Sequence, residues 1–155
     1  MIYKSLAESL IKYAIVIWGG ILNNALHALN ISHKYLIKTM LKLNRTHSTD
    51  TLYTKEISDI RTMYIINVSA YIKYKLKPSV INHIYSTRRK LNKNLDIPKS
   101  TNEINARFIN TLGIKIYNLL PTAIIQLIRP NIFIKECSTY VFSNKQAFLK
   151  LFQKL

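Results

Sequence analysis

The 155 residues carry 23 Lys and Arg against 7 Asp and Glu, a formal charge of +16. A chain of this length buries one core and not two, and a field of that sign attracts polyanions, nucleic acid first and an anionic membrane surface second. A single cysteine, Cys137, excludes an internal disulfide and every multi-cysteine zinc motif, as expected for a reducing intracellular compartment, cytoplasmic or nuclear. Abundant Ile, Asn, Lys and Tyr with little Gly and Pro is also what an A/T-rich coding sequence produces, so charge alone leaves both origins open.

In chain order, Ile2, Leu6, Leu10, Tyr13 and Ile17 recur at spacings of three and four and predict an amphipathic helix over 2–18, ended by Gly19-Gly20. A helix starting so near the first residue has no N-terminal partner for its stripe, the expectation for a chain that begins inside a larger architecture. The longest clean apolar run there, 13–18, is too short to span a membrane or serve as a signal.

Leu22, Leu26, Leu29, His33, Leu36, Met40 and Leu43 then form one seam of a long helix that Asn44 closes. His33 reads as a core or boundary residue, since no His, Cys or carboxylate stands one turn away. On another face Lys34, Lys38, Lys42 and Arg45 make a basic ridge, with no acid between Glu8 and Asp50 to neutralise it. A solvated face is the ordinary reading of such a row, but solvated faces alternate sign and this one does not.

After a polar turn at 46–50 and a short helix at 51–56, Ser58 is placed to cap a third long helix over 59–77. Ile60, Tyr64 and Tyr71 mark one face of it and Ile65, Val68, Ile72 and Leu76 another, leaving a narrow polar strip of Thr62, Ser69, Lys73 and Lys77. A helix apolar over most of its girth is covered on more than one side, so it is the expected centre of the bundle, its tyrosines core residues rather than base-stacking platforms.

Pro78 stops that helix. The next acid after Asp59 is Asp96, and Lys73, Lys75, Lys77, Arg88, Arg89, Lys90 and Lys93 all fall between them. This connector is too polar to pack; it reads either as a disordered loop or as a strap that orders on a phosphate backbone. Beyond it, 106–110 is a short strand or irregular, Gly113 breaks it, and 114–120 is a short helix ended by Pro121. Ile124, Ile125, Leu127, Ile128, Ile132 and Ile134, interrupted by Pro130, are expected in packed core. Ser143 and Gln146 have capping-box spacing before the stripe of Phe148, Leu151, Phe152 and Leu155, which is core or, on the competing reading, a membrane-surface stripe.

No catalytic constellation is visible. Asp50, Asp59 and Asp96 are solitary, whereas carboxylate catalysis needs two or more acids at one site; there is no P-loop, no His-Glu-x-x-His and no Gly-x-Ser-x-Gly. Cys137 has no His nearby and reads as a buried thiol. No enzyme activity, metal or cofactor is expected. The fold class is mainly α, a small helical bundle of three long helices plus short C-terminal helices, with an irregular basic connector.

Five motifs in order carry a resemblance: Tyr13-x4-Trp18-Gly19; His33-Lys34-x3-Lys38 at a Gln-Lys-x3-Arg position; Thr87-Arg88; Ile97-Pro98; and Gly113-x-Lys115-x-Tyr117-Asn118-x-Leu120-Pro121. In this order they resemble the region downstream of the polymerase core in jockey-like non-LTR retrotransposon reverse transcriptases, where the last motif commonly has Trp at the Tyr117 position. The family's closing helix has a Phe-Lys-x-x-Leu flavour, with 148–152 a loose counterpart. The family's catalytic Asp-Asp lies upstream and no such dipeptide occurs here. The resemblance thus implies a thumb-like helical bundle over 1–77, the basic connector over 78–105, and a C-terminal short-helix region over 106–155 packing on the bundle. It implies partners in template-primer nucleic acid, RNA or RNA–DNA duplex, and in upstream fingers and palm domains; no membrane partner is expected. The phosphate-contacting set is then Lys34, Lys38, Lys42, Arg45, Lys73, Lys77, Arg88, Arg89, Lys90 and Lys93. An inert retroelement remnant, or a small helical interaction protein, is the competing reading.

Overall fold

A computed structural model describes residues 3–21, 23–48, 53, 57–76, 95–99 and 102–153. The chain is mainly helical. Tyr3–Glu8 winds as a π-helix into α1, Ser9–Lys12; α2 is Ile15–Trp18, α3 Asn23–Met40, and α4 Ile60–Tyr71 with a π-wound continuation Ile72–Leu76. Then follow α5, Glu103–Arg107; a π-wound turn Ile109–Gly113 leading into α6, Ile114–Tyr117; α7, Thr122–Ile125; α8, Pro130–Ser143; and α9, Lys145–Gln153.

The centre is α4, as its sequence predicts. Ile60, Met63, Tyr64, Ile65, Val68 and Ile72 are buried against α2, α6, α8 and α9 in one core that also holds Ile15, Leu112, Ile116, Phe133, Cys137, Val141, Phe148 and Phe152. Two details differ. The N-cap is Asp59 rather than Ser58: its carboxylate accepts from the Thr62 N–H at 2.7 Å and pairs with Lys145 at the start of α9. The polar strip is not a solvent strip either. Thr62 and Ser69 are buried beneath the helices packed on α4, Ser69 returning its hydroxyl to the Ile65 carbonyl at 2.7 Å.

The first helix is corrected. Leu6, Leu10, Tyr13 and Ile17, the stripe that predicts it, face outward at 63 to 81 % exposure, while Tyr3 and Ile15 are buried and Ala7 and Ile11 half-buried between them. Two features shift the phase. The π-wound opening turns less per residue than an α-helix, which keeps a strict spacing of four on one side, and Ala14 in the left-handed region (φ 52°) breaks the helix in two. The Trp18 indole N–H takes up the Tyr13 carbonyl freed by that break, at 3.0 Å.

The re-aimed α2 brings Gly19 onto α4, where a β-carbon would stand 2.3 Å from the Tyr64 ring. Arg61 anchors the same turn: its guanidinium lies 4.4 Å over the Phe152 ring, donates to the Gly19 carbonyl at 2.6 Å, and also binds the Ile21 carbonyl. Burial draws this guanidinium down to about 10, still charged at neutral pH.

In the C-terminal half, Glu103–Arg107 and Ile109–Gly113 wind as helix across 106–110, where a strand or irregular segment is expected, with an extended Phe108 between them; Ile114–Tyr117 is helical as expected, and Gly113 (φ −59°) continues into it instead of breaking the chain. Its use is proximity, since a β-carbon there would meet Val68 at 2.9 Å and Ile72 at 3.0 Å. Pro130 opens α8 at its first turn, where a missing N–H costs nothing; the helix presents Phe133, Cys137 and Val141 to the core and leaves Ile132 and Ile134 exposed, and Ile128 before it is exposed too, against expectation. Ser143 belongs to α8 and caps nothing; its hydroxyl returns to the Thr139 carbonyl. Phe148 and Phe152 are buried, which removes the membrane-surface reading of that stripe. Asn118 forms both amide bonds with the Leu95 backbone, each 2.9 Å, and thereby ties the segment holding Ile97-Pro98 to the Gly113–Pro121 motif.

Candidate nucleic-acid interface

The basic ridge belongs to α3. Leu26, His33 and Ile37 are its buried side, so the seam moves from Leu36 to Ile37 in the second half and leaves Leu36 and Met40 exposed. His33 is the core residue its position predicts: its Nε2 lies 2.6 Å from the Tyr3 hydroxyl and its ring stacks on Tyr53. Burial pushes its pKa down and pushes the Tyr3 and Tyr53 phenols up to about 12.

The helix ends at Met40, not at Asn44. Lys42 takes the left-handed conformation (φ 54°); its N–H bonds the Thr39 carbonyl at 3.2 Å and the Leu43 N–H bonds the Lys38 carbonyl at 2.9 Å. This pair of bonds is a Schellman closure with lysine where glycine is usual. Reversing there, the chain folds back and the Lys38 ammonium donates to the Arg45 carbonyl at 2.7 Å. Lys38 is only 8 % exposed. It is therefore a tether, and the straight ridge of four cations is corrected to a hook.

Inside the hook lies a cavity of about 180 Å³ lined by Ile31, Lys34, Tyr35, Lys38 and Arg45. Lys34 and Lys38 are one turn apart, as are Ile31 and Tyr35, so the helix sets a cationic edge beside an apolar one and the fold-back adds Arg45. Among the described residues the ion pairs are Glu8–Lys12 and Asp59–Lys145; none reaches Lys34, Lys42 or Arg45. Tyr35 and Ile31 are missing from the sequence-derived set. Their signal was present, an aromatic and an aliphatic residue interleaved with the lysines at helical spacing.

Of the other expected contacts, Lys73 is engaged within the fold. Its ammonium donates to the Ile125 carbonyl at 2.6 Å and to the Leu127 carbonyl, closing α7, and lies 4.3 Å from the Phe133 ring centre. Burial lowers its pKa. Lys77, Arg88, Arg89, Lys90 and Lys93 lie outside the described residues.

No family model, curated protein or solved structure matches this chain. Among the described residues no three His, Cys, Asp or Glu side chains gather as a metal site, and no helix is long and apolar enough to cross a membrane. Cys137 is fully buried, its thiol pushed up to about 12 by burial, which makes it inert as a nucleophile at neutral pH.

Proposed function

We propose that this chain is a non-catalytic, nucleic-acid-binding part of a reverse transcriptase of the non-LTR retrotransposon kind, holding template-primer through phosphate contacts that carry no sequence information. The observation that carries the reading is the hook at the end of α3, where Lys34 and Arg45 meet with no described carboxylate paired to either. The motif order supports the family, and several motif residues do fold-building work in this chain: Trp18 with Tyr13, Gly19 under Tyr64, Asn118 with Leu95. Cations set on a rigid helix end suit a backbone whose affinity comes from counterion release.

The test is charge reversal at Lys34 and Arg45 together, Lys34→Glu with Arg45→Glu, in the full chain. Binding to a labelled RNA–DNA duplex is expected to weaken for every sequence alike and to lose about two counterions from its salt dependence. Unchanged affinity and unchanged salt slope in the folded variant would remove the hook from the interface. The second reading, a helical interaction protein, is favoured by the outward stripe of Leu6, Leu10, Tyr13 and Ile17.

A further inference from the structure

We propose that the hook takes single-stranded nucleic acid, one base stacking on Tyr35 while Lys34 and Arg45 hold the flanking phosphates. This rests on the nucleic-acid reading above and deepens it by naming the strand form. The cavity walls are of two kinds. Lys34 and Arg45 offer positive charge, whereas Tyr35 and Ile31, 52 and 40 % exposed, offer an aromatic ring with an aliphatic neighbour one turn away. A duplex keeps its base faces inside its own stack and presents phosphates, sugars and base edges, so it would leave the apolar wall unused. A single strand offers phosphate and an open base face together, the combination that aromatic-and-cation grooves bind without sequence preference.

Size and rigidity agree. At about 180 Å³ the cavity is below the roughly 300 Å³ at which pockets enclose a small-molecule ligand, so it takes one base with the backbone running outside. The Lys38 ammonium on the Arg45 carbonyl holds the arginine backbone beside the helix, and the Thr39 hydroxyl bonds the Tyr35 carbonyl at 2.9 Å. Both sides of the hook are thus in place before a strand arrives, which lowers the ordering cost of binding.

A free nucleotide shares this chemistry, and the experiment separates the two. Binding of the full chain, wild type, Tyr35→Ala and Tyr35→Phe, is measured for a labelled oligouridylate, for an abasic strand of equal length, for a duplex and for uridine monophosphate. Tyr35 is half exposed and belongs to neither core cluster, so its truncation is expected to leave the fold intact. The wild type is expected to prefer oligouridylate to the abasic strand. Tyr35→Ala should lose roughly 5- to 150-fold on oligouridylate, the range for one base stack, with no change on the abasic strand and no change in salt slope. Tyr35→Phe should bind like the wild type. If Tyr35→Ala binds oligouridylate as well as the wild type does, with salt-sensitive binding retained, this proposal fails and the phosphate-contact reading stands. Equal affinity for uridine monophosphate and the oligomer would also overturn it, in favour of a nucleotide pocket. Absence of binding to any of the four would overturn both.

Discussion

Lys38 and Arg45 stand seven residues apart, and the side chain of the first closes on the backbone of the second at 2.7 Å. Periodicity places both on one basic face. The left-handed turn at Lys42 instead bends the chain so that one cation anchors the other, and the groups left to face an anion are Lys34 and the Arg45 guanidinium, with Lys42 on the turn itself. Removing the anchor has a definite cost. Lys38→Met keeps the aliphatic stem and leaves the Arg45 carbonyl without its charged donor, so a loss of roughly 1.5–3 kcal/mol is expected for this nearly buried group, read as a lower midpoint in urea unfolding followed by circular dichroism.

Lys42 holds a backbone conformation that a side chain disfavours. Lys42→Gly is expected to stabilise the protein by about 1 kcal/mol, since glycine enters this region without the steric penalty. A thermal melt showing Lys42→Gly less stable than the wild type would mean the Schellman closure is not maintained in solution.

Arg61 is the residue whose loss should cost the most. Arg61→Met fills a similar volume but strands the Gly19 and Ile21 carbonyls and uncovers one face of Phe152. About 2–5 kcal/mol is expected from two unpartnered carbonyls and the lost cation–π contact. Arg61→Lys should recover only part, because an ammonium is a point charge and cannot present the planar fork.

Asn118→Leu tests the tie to Leu95. The shape is kept, and both backbone groups of Leu95 lose their partners. A destabilisation of roughly 1–3 kcal/mol is expected, with faster amide exchange at Leu95 than at Ile65 in the core.

The buried Tyr3–His33 pair makes stability pH-dependent on both sides. Burial lowers the His33 pKa from 6.5, so below that pH the unfolded chain binds the proton first. The contribution is full above pH 6.5 and falls as pH drops through the lowered value. At high pH the order reverses: Cys137 is raised from 9.0, and Tyr3, Tyr53, Tyr64 and Tyr117 from 10.0, to about 12, so the unfolded state releases protons first and stability declines from about pH 9 to 12. Melting temperature against pH is expected to be flat from 7 to 9 and to fall on either side. His33→Phe should flatten the acid limb alone.

The helical class, the central place of α4, the core roles of His33 and Cys137, and the closing stripe of Phe148 and Phe152 were legible because each follows from periodicity or from the absence of partners in sequence. Phase was not legible where the backbone departs from regular winding. The π-wound opening and left-handed Ala14 turned the first stripe outward, and Lys42 turned a ridge into a hook. Long-range polar contacts were equally hidden. Nothing near Lys73 in sequence shows that carbonyls 52 and 54 residues later will take its ammonium, and nothing near Arg61 points to the Gly19 turn.

The most direct measurement is binding of the full chain to a labelled RNA–DNA duplex and to a labelled single strand of RNA across a salt series. Affinity for nucleic acid is expected to fall steeply with salt, with a slope equivalent to roughly four or more released counterions, the same for unrelated sequences. A chain shown by circular dichroism to be folded, yet without binding at low salt, would contradict a phosphate-holding surface and leave the positive charge as a property of composition.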